Sequence, residues 1–373
     1  MEIQIDKSEW QKVRLGDVAF EYSKRINNPS ESGLEHFVGN SNIGQWDFRV
    51  KSWEPTDSVT SAMKLFELND YLLVRRSLYA SDFRERAPRA HFAGVCSGDI
   101  ITIKENPEFI SDGFLIGVLN SPTLWKFVVA NASGSITRRI KWKDLANYEF
   151  LLPPKEQQAK LAEMLWAMDD VIEKELKVLD MLKISGASVF QRLVNKGAGK
   201  KVALSTLLKP IKLKSSVPHQ REKYIGLEHI QSGAFTCEKH GKSDSVLAQC
   251  NVVNKGDLCY SKLRPYLDKA FLATFDAVST TELLIYGVKD ASKEYVLYHL
   301  HSQPFIHYVS GKGFGTKMPR VSHKIIGEYK VKVLEDEKVV LDKMKGFRQS
   351  EVHLAQNISA AKNLQKSLIN QVF

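Results

Sequence analysis

Two long stretches of the chain place apolar residues at steps of three and four. The first follows Leu151-Leu152-Pro153-Pro154 and carries Leu161, Leu165, Met168, Ile172, Leu176, Leu179, Leu182, Val189 and Leu193. The second carries Leu341, Met344, Phe347, Leu354, Ile358, Ala361, Leu364, Leu368 and Val372. This is the spacing of one face of an α-helix. It predicts two helices, over 153–195 and 336–373, each of about 40 residues and roughly 60 Å long at 1.5 Å per residue. Proline suits the start of the first, where its missing N–H would have no partner anyway. A helix of that length with a single apolar stripe is not stable alone in water. Each stripe is the natural partner of the other, so the expected seam runs from Leu161 to Leu179 on one helix and from Leu341 to Leu368 on the other. Shorter apolar runs at Tyr71-Leu72-Leu73-Val74, Ile100-Ile101-Thr102-Ile103 and Leu283-Leu284-Ile285-Tyr286 predict strands. Residues 114–130 have helical character that Pro122 should interrupt. Gly197-Ala198-Gly199 marks the exit of the first long helix. The layout is therefore a globular part over 1–152, a long helix over 153–195, a globular part over 196–335 and a long helix over 336–373. The fold class is α+β.

The two globular parts repeat one another. Phe37-Val38-Gly39-Asn40-Ser41-Asn42-Ile43 matches Tyr224-Ile225-Gly226-Leu227-Glu228-His229-Ile230 at an offset of 187. Asp70 with Tyr71-Leu72-Leu73 matches Asp257 with Leu258-Cys259-Tyr260 at the same offset. Phe92-Ala93-Gly94-Val95-Cys96-Ser97 matches Phe275-Asp276-Ala277-Val278-Ser279-Thr280 at 183, and Gly134-Ser135 matches Gly315-Thr316 at 181, as Tyr148 matches Tyr329. The order is kept and the offset drifts by only six residues. That regularity marks a pseudo-repeat.

Composition narrows the function classes. Hydrophobic residues make up 43% of 373, enough for real cores. No apolar run approaches the length of a membrane span. The opening Met1-Glu2-Ile3-Gln4-Ile5-Asp6 lacks signal-peptide character, so a cytoplasmic location is expected. Cys96, Cys237, Cys250 and Cys259 form no CxxC pair. Cys237, His240, Cys250 and Cys259 could just number four zinc ligands, but their spacing fits no finger or ribbon. No metal site is assigned. The formal net charge is +10, and its distribution is uneven. Residues 195–334 hold 22 basic and 11 acidic side chains, while every other part is balanced to within one charge. An excess of this kind suits a polyanionic partner.

The organisation resembles the specificity subunits of Type I restriction–modification enzymes. The resemblance rests on Trp10-Gln11-Lys12-Val13-Arg14-Leu15-Gly16-Asp17, on Lys255-Gly256-Asp257-Leu258 with its weaker counterpart Leu68-Asn69-Asp70-Tyr71, and on the turns Gly134-Ser135 and Gly315-Thr316. Its most telling carrier is Leu151-Leu152-Pro153-Pro154-Lys155-Glu156-Gln157-Gln158, from which the second copy, Leu334-Glu335-Asp336-Glu337, departs. The resemblance implies two target recognition domains held apart by two antiparallel helices, each domain reading half of a split target in double-stranded DNA. It further implies docking of two methyltransferase subunits, which bind S-adenosylmethionine and modify adenine, and of restriction subunits through the complex. It implies no cofactor and no catalytic residue for this chain. A pseudo-two-fold protein also suits the pseudo-two-fold symmetry of duplex DNA. The copies have diverged, so the half-sites should differ.

Candidate DNA-contacting residues follow from the basic clusters. In the first copy these are Arg75, Arg76, Tyr79, Arg84, Arg86 and Arg89, then Ser135, Arg138, Arg139 and Lys141 around the turn. In the second they are Lys262, Arg264, Tyr266 and Lys269, then Lys312, Thr316, Lys317, Arg320 and His323. Arginine suits guanine edges and phosphates because its planar fork makes two hydrogen bonds at once. Two rival readings remain at this level. An autonomous methyltransferase or nuclease would be expected to carry its own motif, yet the only Pro-Pro, Pro153-Pro154, lies between Leu152 and Lys155. No HExxH, phosphate loop or nucleophile elbow occurs either. A coiled-coil scaffold without DNA binding would keep the repeat and treat the basic residues as surface charge.

Overall fold

The paired glutamines after Pro154 do more than begin a helix. The computed structural model describes residues 6–77, 83–315 and 318–373. In it the first long helix spans Lys155–Lys196. The Gln158 side chain is buried beside the helix start, donating to the carbonyls of Pro153 and Phe109 and accepting from the Ser111 N–H. Trp10 Nε1 donates to Gln157 Oε1 at 2.9 Å. The helix start is thus fastened to the sheet part by amide side chains. The second long helix spans Glu337–Val372. There a single carboxylate serves, with Glu337 Oε2 accepting from the Ser292 N–H at 2.9 Å.

The chain divides into two units, 1–178 with 354–373, and 179–353. In the first, an antiparallel sheet runs Ala19–Glu21, Ile100–Glu105, Tyr71–Val74. A second sheet has the order Arg25–Ile26, Met63–Phe66, Gly94–Cys96, His36–Val38, Glu54–Pro55, and its pairing of Phe37 with Val95 is parallel. Gln11–Arg14 pairs with Glu149–Leu152. Pro122 divides the helical stretch as expected, into Leu115–Leu119 and Pro122–Asn131. The Ser121 hydroxyl caps the second piece by accepting from the Leu124 N–H.

The second unit repeats this plan. Lys214–Ser215, Cys250–Val253, Ala277–Ser279, Lys223–Ile225 and Gly241–Lys242 form a sheet of the same order, with the parallel pairing now of Tyr224 and Val278. Leu208–Ile211, Leu283–Val288 and Leu258–Ser261 match the three-stranded sheet, extended here by Ala270–Ala273 and Thr236–Cys237. Gly199–Ala203 pairs with Lys330–Leu334. The sequence matches mark the devices that shape both copies. Asn42 Oδ1 accepts from the Gly39 N–H, and His229 Nδ1 accepts from the Gly226 N–H. Asn69 and Gly256 both take positive φ, each before an aspartate that accepts a backbone N–H three residues earlier.

In the first unit the early turns of the first long helix meet the late turns of the second. Leu161, Ala162 and Leu165 share a core with Leu368, Ile369 and Val372. In the second unit the late turns meet the early ones, where Phe190 and Val194 pack with Val340 and Met344. That order is antiparallel. Among the expected seam residues, Ile172 and Ile358 are also buried, while Met168, Leu176, Leu179, Leu341, Phe347 and Leu354 are half-buried. Leu364 is a correction. It is 60% exposed, because the buried row steps through Ile358, Gln365, Leu368, Ile369 and Val372, and Leu364 lies one residue, or about 100° of helix, away from Gln365. Gln365 instead donates to the Leu165 carbonyl at 3.3 Å. No helix among the described residues is long and apolar enough to cross a membrane.

Candidate nucleic-acid interface

Each unit has a short antiparallel pairing just beyond one strand of its sheets. In the first, the chain leaving Tyr71–Val74 continues into Arg76–Ser77, which pairs with Arg138–Arg139. Between the sides of the pairing lies Asp99, and its carboxylate holds both arginines, Arg76 Nη1 and Arg139 Nε each donating at 2.8 Å. Burial would raise this carboxyl, but the two arginine hydrogen bonds hold it below the ordinary aspartate range. The second unit does the same with other residues. Glu282 accepts from Arg320 Nε at 3.1 Å, and Lys262 Nζ stands 4.0 Å away. Leu263 and Arg320 bridge as Arg76 and Arg139 do. Asp99 and Glu282 lie at the repeat offset of 183. The basic residues are thus aimed by a half-buried acid, with guanidinium surface left over: Arg76 and Arg139 each keep 39% of their side chains exposed.

A cleft of about 640 Å³ adjoins the first pairing, lined by Arg76, Ser77, Arg84 and Arg86 with Asn40, Ile43, Gly44 and Gln45. Arg86 is half-buried, and burial followed by the nearby Arg84 charge pushes its guanidinium below the ordinary value. A cleft of about 440 Å³ beside the second pairing is lined by Lys212, Lys214, Lys262, Arg320 and His323 among others. His323 accepts or donates at 2.9 Å to the Tyr286 hydroxyl, and burial, then Lys212 and Lys262, favour its neutral form. Clefts walled by guanidinium and ammonium groups concentrate positive potential and suit phosphate.

The other expected residues divide. Arg75 is half-buried at the strand end, and Lys141 and Ser135 are exposed near the turn. Arg138 donates twice to the Ala132 carbonyl, bracing that turn. Arg264 is exposed, with φ of 50°, and Tyr266 is 52% exposed beside it. Lys269 is tied to the Leu227 carbonyl, and Lys312 stands 3.8 Å from Glu328. Arg89 needs correction. Only 12% of its side chain is exposed, because it is held by Asp112 and lies 3.8 Å from Glu105 and over the Tyr71 ring. It braces the core and is absent from the paired segments. Tyr79, Thr316 and Lys317 lie outside the described residues. Sequence reasoning missed Asp99, Glu282, Lys212 and Lys214. The first two had a signal, an acid in both copies at a matched position.

The four cysteines are buried free thiols, and among the described residues no group of three or more His, Cys, Asp or Glu is placed to hold a metal.

No protein-family model matches the chain, and no curated protein matches it in sequence. Solved structures do match in fold. The S subunit of a Type I restriction–modification system from M. genitalium aligns over 100% of this chain and 98% of its own, with a TM-score of 0.52 and 14% identity. A chain from a structure describing complex assembly and conformational transition of the type I R-M system aligns over 98% and 97%, with a TM-score of 0.51 and 16% identity. The fold of this chain is that of Type I specificity subunits along its whole length: two similar globular parts and two long antiparallel helices.

Proposed function

We propose that this chain is the DNA-reading specificity subunit of a Type I restriction–modification complex. The observation that carries the proposal is the repeated short strand pairing, in which a half-buried acid aims basic side chains beside a basic cleft, once in each unit. A scaffold without DNA binding has no need to keep that arrangement while its residues diverge. The globular parts 1–152 and 196–335 are the two target recognition domains, each taking half of a split target in double-stranded DNA. Arg76, Arg84, Arg86, Arg139 and Lys141 serve the first half, and Lys262, Arg264, Tyr266, Arg320 and His323 the second. Most of them hold phosphate, since half or more of protein–DNA hydrogen bonds go to the backbone. The long helices dock two adenine methyltransferase subunits, and restriction subunits join through these. The chain itself supplies recognition and no chemistry.

Binding of the complex, with its modification subunits, to a duplex should weaken steeply with salt, because each neutralised phosphate releases counterions. Charge reversal of Lys262 with Arg264 should flatten the plot of log affinity against log salt by about two phosphate contacts. A gel-shift series at rising salt measures this. An affinity independent of salt would favour the scaffold.

A further inference from the structure

The turn between the bridged residues Ser133 and Arg139 carries the most exposed large apolar side chain among the described residues of the first unit, Ile136, at 83%. This is not a slack loop. Ser133 and Arg139 exchange two backbone hydrogen bonds of 3.0 and 2.9 Å. Gly134 takes φ of +129°, and a Cβ there would lie 2.1 Å from the Thr137 carbonyl oxygen, so only glycine closes the turn. Arg138 is bonded back to Ala132 and Arg139 to Asp99. A braced turn that holds an aliphatic side chain in water, just before Arg138 and Arg139, is costly without a partner. The second unit matches it with Phe314 at 57% and Met318 at 44% exposure, on either side of Gly315. The surrounding charge says what the partner is. Arg76, Arg138, Arg139 and Lys141 would hold a polyanion against the tip. In the major groove the one apolar group a DNA base offers is the C5 methyl of thymine.

We propose that Ile136 is a specificity-determining residue that packs against a thymine methyl in the half-target read by the first unit. The inference rests on the DNA-reading function proposed above. The test uses the full chain in complex with its modification subunits and a duplex bearing its mapped methylation target. Each thymine of the half-site is replaced, one at a time, by uracil, which lacks only the methyl. One position should weaken wild-type binding about four- to tenfold. The Ile136→Ala complex should melt as wild type does, bind the intact duplex weaker by a similar factor, and lose nothing further at that uracil. Equal losses in wild type and variant, no loss at any uracil, or a half-site without thymine would overturn the contact. A wild-type complex that does not prefer the mapped duplex over an unrelated one would overturn the DNA-reading function itself, and that comparison is made first.

Discussion

Asp169 shows how one residue on the first long helix can be at odds with its surroundings. It is buried against Arg49, whose Nη1 lies 3.3 Å away, with Asp170, Glu173 and Lys51 close by. Burial outweighs the Arg49 attraction and pushes the Asp169 carboxyl up to about 6. A carboxyl raised in the folded state favours folding while protonated. That contribution is complete below the unfolded value near 4 and is lost as pH rises through about 6. Asp169→Asn should therefore stabilise the protein at pH 7.5 by roughly 1–3 kcal/mol, and the gain should vanish by pH 4. Melting curves of the two proteins across that range measure it; a destabilised variant at pH 7.5 would mean that the Arg49 pair outweighs the burial. At this scale the sequence was legible in part. Arg76, Arg139, Lys262 and Arg320 stood out as clustered cations and fall at the short pairings. Arg89 stood in the same cluster and turns inward to Asp112, because nothing along the chain reveals which cation meets a distant acid.

The elements were more legible where their period is long. The two helices repeat their apolar residues over many turns, so their existence and pairing followed from spacing alone. The two-residue strands Arg25–Ile26, Glu54–Pro55 and Gly241–Lys242 are too short to show any alternation, and they became visible only through the sheets they complete. The seam also drifts. Residues 3.6 to the turn do not keep step with a fixed spacing, so Leu364 leaves the buried row, while Phe190, Val194, Val340 and Ile369 enter it unannounced. This yields a contrast. Leu165 and Ile172 are 1% and 2% exposed, and changing both to Asp buries unpaired carboxylates at several kcal/mol. That double variant should fail to fold its first unit and should not retain modification subunits in a pull-down. Leu364→Asp should shift stability by no more than about 0.5 kcal/mol. If both variants melt alike, the seam is misplaced.

For the whole molecule, the repeat is the fact with most consequence. Matched sheets, matched turns and matched acid-braced pairings occur once in each unit, while the residues that line the two clefts differ. If the two units read DNA as proposed, one design with two different surfaces should recognise two different short sequences. Charge differs as well, since the excess lies within 195–334. Under the proposed function the second unit should thus supply more of the non-specific attraction to phosphate. The repeat was legible from a handful of matches at drifting offsets, whereas the surface each unit presents depends on side-chain geometry that no spacing encodes. The most direct measurement is the map of methylated adenines in DNA modified by the complex, for wild type and for the chain with Arg76 and Arg139 both changed to Glu. The account predicts a target of two unlike specific halves parted by unspecified bases, with selectivity lost in one half alone in the variant. A continuous target, or a variant that blurs both halves equally, would contradict it.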